Sequence, residues 1–347
     1  MTGDSERRVS ALVERYVPAV RERMRASLPE GGGALFDILR YHLGWQDSEG
    51  WPVDEDAGKG LRPVLALASC EMAGGRWPDA LPAAAALELI HNFSLLHDDI
   101  QDGDATRRGR PTAWTVYGVH PALAAGNAMR VVADLTLLSL SEAGVPSATA
   151  KAAAAALTSR YLEMIEGQYL DLSFEESDEV TTNDYLAMVS RKTGALIDCA
   201  MLLGCLVATN DLAAAAAFGR CGRELGLAFQ VRDDLLGIWG DPAATGKPVG
   251  ADIRRKKKSM PIVHLFQQAN DKEREWLRGA YAADEVAGDD VERVLVMLAD
   301  RGAREFVQAT AAEHADAAVD AVGGLRLPAE AKADISAMAD YFIRRDK

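Results

Sequence analysis

The sequence has few cysteines and no uninterrupted apolar run long enough to cross a membrane. Its four cysteines form no CxxC pair, which argues against a zinc site or a disulfide framework and favours buried, reduced thiols. The longest apolar stretch, Ala195 to Thr209, is interrupted by Asp198 and is shorter than the roughly 18 residues that suggest a membrane span. The N-terminal MTGDSERRVSALVERY lacks the apolar core of a secretory signal. We therefore expect a cytoplasmic protein without stable membrane insertion.

Basic residues are also in short supply. The chain has 38 Lys and Arg against 52 Asp and Glu, which gives a net charge of -14 at pH 7. Such a balance repels a phosphate backbone, so nucleic acid is not an expected partner. Hydrophobic residues make up 48% and charged residues 26% of the chain, proportions typical of a globular protein rather than a disordered or fibrous one.

Alternating β-branched runs are almost absent, and alanine-rich segments dominate instead. The alanine runs at 83–86, 152–156 and 213–217 lie within segments whose apolar residues recur at three- and four-residue spacing, the pattern of amphipathic or buried helices. At about 150 residues per domain, the length is compatible with two domains or with one large helical domain. Because no linker-like segment or fixed-period repeat interrupts the chain, we predict a single all-α domain over residues 1–347, with roughly ten or more helices.

One apolar helix is predicted to end in a cluster of acids, within the segment HNFSLLHDDIQDGD. The spacing of Asp98, Asp99 and Asp102 places their carboxylates on one side of a continuing helix. Magnesium is commonly held by a few carboxylates together with substrate phosphates and water. A solvated acidic helix end is the alternative. However, Arg107 and Arg108 follow closely, and paired guanidinium groups can hold a phosphorylated ligand through forked hydrogen bonds.

A second apolar helix, predicted from Gly226 to Trp239, carries Asp233 and Asp234 near its end. The following segment, GDPAATGKPVGADIRRKKKSMP, supplies Lys247 and a basic run. This segment is not a P-loop, because its glycine spacing is one residue too long and a proline replaces the required hydroxyl residue. Two such acidic clusters in one chain are much less expected by chance than one, which favours a common function.

Together these motifs resemble those of the polyprenyl synthetase family, the trans-type isoprenyl diphosphate synthases. In family order they are GKGLRP, HDDIQD with RRG, Gly167-Gln168, Lys192-Thr193-Gly194, and FQVRDDLL with GDPAATGKPVGADI. The resemblance covers most of the chain. It implies a homodimer with an all-α isoprenoid synthase fold, a single large helical bundle in which the two Asp-rich helix ends face each other across a deep apolar cavity. It also implies Mg²⁺ between these helix ends, with three ions when diphosphate is bound.

The resemblance further implies roles for individual residues. The metal ligands match Asp98, Asp99, Asp102 and Asp233. The groups that bind the allylic diphosphate match Arg107, Lys192 and Lys247, and Thr193 and Gln230 match polar groups near the reacting end. The isopentenyl diphosphate pocket matches Lys59, Arg62, His91 and Arg108, and Lys257 matches a basic residue that helps to close the site. The catalytic set is therefore predicted to be Arg107, Lys192, Thr193 and Gln230. Singly, each residue has an ordinary alternative, such as an exposed cation or a core histidine, and the joint order of the motifs favours the functional interpretation.

The implied reaction is a head-to-tail condensation of isopentenyl diphosphate with an allylic diphosphate. The allylic diphosphate ionises, and Mg²⁺ and cationic side chains stabilise the charge on the departing diphosphate in a water-poor cavity. Phe93 lies five residues before Asp98, more than one helical turn below the metal, and matches a position where a large aromatic limits chain length. The pattern resembles a short-chain bacterial geranylgeranyl diphosphate synthase and favours a twenty-carbon product over fifteen. The alternative for Phe93 is an ordinary core residue.

Three positions depart from the family pattern. Gly237 stands where a third Asp is common, with Asp241 as a partial substitute, Asn127 stands where Asp often follows Gly126, and Arg130 lies in a usually apolar stretch. These departures leave open a terpene cyclase, which would ionise a prenyl diphosphate without condensing it, and a non-catalytic partner subunit. The complete isopentenyl pocket argues against the cyclase, and the intact first acidic cluster argues against the partner subunit. We therefore predict a prenyltransferase, with farnesyl diphosphate synthase as the nearest alternative.

Overall fold

Helices form nearly all of the structure, as the alanine-rich segments predict. The structure is a computed structural model that describes residues 2–55, 58–175, 177, 179–246, 248–283 and 286–345. Within these ranges the only paired strands are two residues long each, so the all-α prediction is confirmed. Lys247, predicted to bind the allylic diphosphate, lies outside the described residues.

The elements of the described chain are mostly joined by short connections. The helices before residue 210 are α1 (Thr2–Ser27), α2 (Ala34–His42), α3 (Leu61–Met72), α4 (Leu81–Gln101), α5 (Ala113–Tyr117), α6 (Val119–Leu138), α7 (Ser147–Glu175), α8 (Thr182–Val189) and α9 (Ala195–Thr209). Those after it are α10 (Leu212–Trp239), α11 (Pro242–Thr245), α12 (Ala251–Arg254), α13 (Met260–Gln268), α14 (Asp271–Ala282), α15 (Gly288–Asp300), α16 (Ala303–Ala321) and α17 (Ala329–Arg344).

Shorter elements complete the chain. Strand β1 (Thr106–Arg107) pairs antiparallel with β2 (Arg110–Pro111), and 3₁₀ turns lie at Trp77–Ala80 and Ser139–Ser141. A π turn, Ser190–Gly194, joins α8 to α9.

One predicted helix is longer than expected. The sequence predicts a helix from Gly226 to Trp239, whereas α10 begins at Leu212 and continues through Gly226 without a break. Glycine usually destabilises a helix interior. Here it permits a close helix contact, because a β-carbon at Gly226 would lie 2.8 Å from the Cα of Gly194. The predicted start is therefore wrong: the glycine marks a packing contact, not a helix end.

The chain divides into two compact units, which are described separately. The N-terminal unit comprises Ser10–Tyr161 and Cys199–Gly219. The C-terminal unit comprises Met1–Val9, Leu162–Asp198 and Arg220–Lys347. The assignment of the whole chain to one domain stays a prediction.

In the N-terminal unit, small residues bring helices close together. Residues 83–86 of α4 are fully buried, and a β-carbon at Gly204 would collide with the carbonyl oxygen of Ala66 in α3. Burial raises the pKa of Cys70 to about 12 and that of Cys205 to about 11, so both thiols stay protonated. All four cysteines are buried thiols, which confirms their prediction as packing residues.

In the C-terminal unit, α10 takes part in two apolar clusters. In one, Ile238 packs with buried residues of α13, α14 and α15. In the other, Val231 and Leu235 pack with Tyr185 of α8 and Met260 of α13. The acidic end of α10 is therefore anchored by core contacts on more than one side.

Two helical stretches, Val119–Ser141 and Thr182–Thr209, are long and apolar enough to span a membrane by length and composition. The second contains the predicted buried helix, and 72% of its most apolar window is buried in the fold. That burial is typical of a core helix. The first is 44% buried and exposes an apolar face.

Candidate active site

The C-terminal end of α4, in the N-terminal unit, carries the three acids of the first motif. Asp98 is half-buried, Asp99 is buried, and Asp102, which directly follows the last helical residue, is exposed. Carboxylates are unfavourable at this end of a helix, where the backbone dipole is negative, and they also repel one another. The arrangement therefore favours the binding of cations.

Asp99 has one oxygen that is paired and one that is not. Its Oδ1 accepts a hydrogen bond from Arg107 Nε at 2.5 Å, while its Oδ2 is buried and has no hydrogen-bond partner among the described residues. Burial raises the pKa of this carboxyl, and Arg107 opposes the shift. Burial of a carboxylate oxygen without a hydrogen-bond donor destabilises the fold. Such an oxygen is a suitable ligand for a hard divalent cation.

The three acids are not assembled into a finished metal centre. In the part of the chain that the structure describes, no three His, Cys, Asp or Glu side chains form a group that could hold a metal ion. The residues nevertheless fit Mg²⁺ in chemistry, since all three offer carboxylate oxygens and Asp99 has an oxygen to spare. Their role as ligands stays a prediction.

The side chains of two neighbouring arginines in the hairpin after α4 point in different directions. Arg107 turns to Asp99. Arg108 has a φ of 52° and lies against the loop before α3, because a β-carbon at Gly58 would be 2.5 Å from Arg108 Nη2. Gly58 itself has a φ of 107°, a conformation that glycine alone adopts readily. Arg107 thus lies in the predicted metal site, whereas Arg108 lies beside Lys59 of the predicted isopentenyl pocket.

Arg62 and His91 form a second cationic feature in this unit. Arg62 Nη1 lies 3.1 Å from His91 Nε2. Burial, together with the charges of Arg62 and Arg108, lowers the pKa of His91 well below its usual value. The ring is therefore neutral, and its Nε2 accepts the hydrogen bond from Arg62. This contact fixes the orientation of a guanidinium group, which suits recognition of a diphosphate.

The acidic pair of α10, in the C-terminal unit, consists of one exposed and one buried residue. Asp234 is buried and accepts hydrogen bonds from the Tyr185 hydroxyl at 2.5 Å, the Met260 N–H at 3.0 Å and Gln230 Nε2 at 3.1 Å. Burial raises its pKa to about 7, although these three donors lower it. The side chain of Asp233 is 53% exposed and is the one that a metal ion can reach.

The π turn in the same unit presents Lys192 and Thr193. Lys192 forms an ion pair with Asp171 of α7, and Thr193 Oγ1 donates to Gln230 Oε1 at 3.1 Å. A β-carbon at Gly167 would collide with the backbone of Lys192, which explains the glycine at this position. π turns are frequent at functional sites.

Phe93, the predicted chain-length residue, lies on α4 below the acids. It is 8% exposed, and its ring meets His97 edge to face, with centroids 4.9 Å apart. His97 in turn packs against Gly126 of α6, where a β-carbon would overlap the imidazole. The rings of Phe93 and His97 therefore fill the space between α4 and α6, and Gly126 leaves room for them.

The comparisons with known proteins decide the family. The model of the polyprenyl synthetase family matches residues 53–298, which include every motif named above. The chain belongs to the polyprenyl synthetase family.

Relatives and solved structures of this family resemble the chain over nearly its whole length. A geranylgeranyl diphosphate synthase of Mycobacterium tuberculosis is 41% identical over 90% of this chain and 87% of its own. A (2E,6E)-farnesyl diphosphate synthase of the same species is 36% identical over 89% of this chain and 85% of its own. The crystal structure of a polyprenyl synthetase from Streptomyces coelicolor has a TM-score of 0.90 and 36% identity, and the match covers 96% of this chain and 99% of that one. The predicted isoprenoid synthase fold is thus confirmed.

A solved relative contains magnesium and a diphosphate ligand. The geranylgeranyl pyrophosphate synthase of Corynebacterium glutamicum was crystallised with isoprenyl diphosphate and magnesium. It is 26% identical to this chain, with a TM-score of 0.78 and coverage of 97% of this chain and 98% of that one.

Two of the three departures of this chain from the family pattern have local explanations. A β-carbon at Gly237 would overlap the carboxylate of Asp252, so an acid from α12 occupies the space beside the missing one. Asp241, expected as the substitute, caps α11 by accepting from the Ala243 N–H at 2.9 Å, and its role as a substitute stays a prediction. Arg130 is neutralised by Asp134 at 2.8 Å.

Two residues of the site escaped the sequence analysis. Asp171 pairs with Lys192, although a single acid within an amphipathic helix carries no signal of its own. Glu88 lies one turn before His91; burial raises its pKa, and Arg62 opposes the shift.

A further contact of the site lies at the end of the chain. Arg345 Nη2 donates to Asp233 Oδ1 at 2.8 Å, and its guanidinium lies 3.8 Å from the centroid of the Phe229 ring. Lys257, predicted to help close the site, is exposed, and its role stays a prediction.

Proposed function

We propose that this chain condenses isopentenyl diphosphate with an allylic diphosphate, head to tail, and releases a short trans-prenyl diphosphate. The observation that carries the proposal is the divergence of two adjacent arginines. Arg107 binds Asp99 in the acidic helix end, whereas Arg108 lies against Gly58 beside Lys59. One short hairpin therefore supplies cations to two places, as an enzyme with two diphosphate substrates requires. A cyclase with a single diphosphate has no use for the second.

The proposed metal ions are Mg²⁺, three of them with bound diphosphate, held by Asp98, Asp99, Asp102 and Asp233. Support comes from Asp99 Oδ2, which is buried and has no hydrogen-bond partner among the described residues. The magnesium-containing structure of the Corynebacterium relative gives further support. Bound Mg²⁺ supplies Lewis-acid stabilisation of the charge that develops on the departing diphosphate.

The chain's own residues are proposed to do the remaining work. Arg107 and Lys192, together with Lys247, donate to the oxygens of the departing diphosphate, which stabilises negative charge as it develops. Asp171 keeps the ammonium group of Lys192 in place. Gln230 donates to Asp234 and so turns its carbonyl oxygen to Thr193, which fixes the hydroxyl of Thr193 near the reacting end. The neutral His91 orients Arg62 toward the isopentenyl diphosphate, with Lys59 and Arg108 as its neighbours and Lys257 as the residue that helps to close the site.

The proposed main product is geranylgeranyl diphosphate. The relative with 41% identity carries that name, and Phe93 provides a bulky, nearly buried ring below the acids. The farnesyl diphosphate synthase with 36% identity marks the competing product length.

Product analysis tests this function directly. Purified protein with Mg²⁺ and isopentenyl diphosphate is given dimethylallyl, geranyl or farnesyl diphosphate in separate reactions, and the alcohols obtained after dephosphorylation are sized. We expect linear twenty-carbon alcohol as the main product from each acceptor. Cyclic hydrocarbons formed without isopentenyl diphosphate would instead establish a cyclase, and inactivity that ends when a second synthase chain is added would establish a partner subunit.

We also propose that the chain acts in the cytoplasm as a homodimer through the exposed face of α6. Val131, Leu135 and Leu138 are 49%, 63% and 57% exposed, and their four- and three-residue spacing places them on one side of the helix. A contiguous apolar stripe of this kind is typical of an association surface. A second copy of the chain is the occupant that the family resemblance implies.

Substitution of Leu135 by Glu tests the dimer. A carboxylate on this stripe would be desolvated on association, which costs several kcal/mol. We therefore expect sedimentation velocity to give one chain of 37.3 kDa for the variant and two chains for the wild type. Val296→Glu is the matched control, since Val296 of α15 is 59% exposed and lies outside the stripe. A Leu135→Glu protein that still sediments as a dimer would place the interface elsewhere.

A further inference from the structure

The π turn Ser190–Gly194 is tied to its surroundings by one arginine of α10. Arg223 Nε donates to Asp198 Oδ2 at 2.9 Å, and its Nη2 donates to Glu163 Oε2 at 2.8 Å. Its Nη1 donates to the carbonyl oxygen of Ser190 at 3.3 Å and to the hydroxyl of the same residue at 3.2 Å. A single guanidinium group therefore links α7, α9 and the first residue of the turn to α10.

This contact set requires an arginine. Asp198 is only 3% exposed, and a buried carboxylate without a cation is strongly destabilising. The planar guanidinium carries five N–H donors in a fixed fork, whereas the ammonium of lysine is a compact charge on a flexible stem. Lysine could neutralise Asp198 or Glu163 but could not also hold the backbone of Ser190 in the same geometry.

Glycines confine the same turn on both sides. A β-carbon at Gly226 of α10 would lie 2.8 Å from the Cα of Gly194, too close for two carbon atoms. On the side of α7, a β-carbon at Gly167 would collide with the backbone of Lys192. The turn is thus packed closely between α7 and α10, and Arg223 supplies the polar contacts to its first residue.

Two consecutive residues of the turn reach opposite neighbours. Lys192 pairs with Asp171 of α7, and Thr193 donates to Gln230 of α10. In an α-helix the backbone closes i to i−4 hydrogen bonds, whereas a π turn has one more residue in each ring. Any relaxation of the turn toward α geometry would rotate both side chains away from these partners.

We propose that Arg223 is a positioning residue, which holds the π turn so that Lys192 and Thr193 meet the departing diphosphate. This role rests on the function proposed above. Arg223 touches neither substrate in the proposal, and it acts through the backbone of Ser190 and the two carboxylates that it joins.

The variant Arg223→Lys tests the proposal. We expect kcat/KM for the allylic diphosphate to fall by about 10- to 100-fold, the effect of misplacing groups that act on the reacting centre. KM for isopentenyl diphosphate should stay within about twofold of wild type, because Lys59, Arg62, His91 and Arg108 all lie in the N-terminal unit. A residue with a merely structural role would instead lower the amount of active enzyme and leave both KM values unchanged.

Two further measurements do not depend on turnover. Hydrogen exchange should show faster exchange of the amides of residues 190–194 in Arg223→Lys, and calorimetry should show weaker binding of farnesyl thiolodiphosphate, an allylic analogue that resists ionisation. The matched control is Arg301→Lys in the same unit, since Arg301 also joins a carbonyl oxygen, of Met297 at 3.2 Å, and a carboxylate, of Glu273. Arg301→Lys should leave unchanged kcat/KM for the allylic diphosphate, the exchange of amides 190–194 and the binding of the analogue.

The outcomes separate the positioning role from the function on which it rests. A wild-type protein without turnover would defeat the proposed function, and exchange and analogue binding would still decide the role of Arg223. Unchanged exchange of the turn together with unchanged binding of the analogue in Arg223→Lys would overturn the positioning role. If that variant does not fold, Glu163→Gln removes one of the two carboxylates with little change in shape, and the same readouts should shift in the same direction by a smaller factor.

Discussion

Replacement of both Asp98 and Asp102 by alanine is expected to lower turnover by about 10³-fold or more, because removal of one preorganised charge-stabilising group already costs about 10²–10³. The two side chains flank the buried Asp99 at the end of α4, and the proposed reaction builds charge on a diphosphate bound there. The measurement is kcat with isopentenyl diphosphate and farnesyl diphosphate at saturating Mg²⁺.

Thermal stability, measured with and without Mg²⁺ and diphosphate, tests the same assignment independently of turnover. The two acids lie at the negative end of the α4 dipole, so their removal should leave the free energy of unfolding without metal unchanged or higher, by about 0.3–1 kcal/mol per charge. The rise in melting temperature that Mg²⁺ and diphosphate give the wild type should be lost in the variant. Asp104→Ala is the matched control, since it removes a neighbouring acid that is not a predicted ligand. Near-normal turnover of the double variant would refute the assignment of Asp98 and Asp102 as metal ligands.

The sequence predicted the parts of the site that depend on short spacing. Asp98, Asp99 and Asp102 lie within five residues of one helix end, and helical geometry alone brings such residues to one side. Arg107 follows after a short hairpin, so its proximity to Asp99 was also within reach of sequence reasoning. The structure has the two residues in contact, with Arg107 Nε donating to Asp99 Oδ1 at 2.5 Å.

The parts that escaped prediction depend on contacts between distant segments. Asp171 contacts Lys192, which lies 21 positions later in the chain, and no sequence pattern around either residue indicates this pairing. The π turn has an ordinary helical pattern, so its extra residue is set by the packing of Gly167 and Gly226 against it. The missing acid at Gly237 is understood only when Asp252 is seen beside it. An Asp at 237 would place two carboxylates in contact, which is unfavourable without a cation.

Phe93→Ala is expected to change the product rather than the rate, with the main product shifting from twenty carbons to longer chains by one or more five-carbon units. In the structure the ring is 8% exposed and packs against His97, more than one helical turn below the acids that bind the diphosphate in the proposal. Its removal would open space for a growing chain anchored at those acids. Sizing of the dephosphorylated alcohols, with farnesyl diphosphate as acceptor and excess isopentenyl diphosphate, measures the shift.

Loss of stability cannot imitate that result. Truncation of a buried phenylalanine costs about 3–5 kcal/mol when the site does not collapse, and such a cost lowers the fraction of folded enzyme. Product length, however, is decided within each folded molecule and does not depend on how many molecules are folded. Phe266→Ala is therefore the matched control: Phe266 is 6% exposed in the core of the C-terminal unit, and its loss should reduce yield while the product keeps twenty carbons. If Phe93→Ala also kept twenty carbons, Phe93 would be an ordinary core residue, and the floor of the product cavity would have to be formed by other side chains.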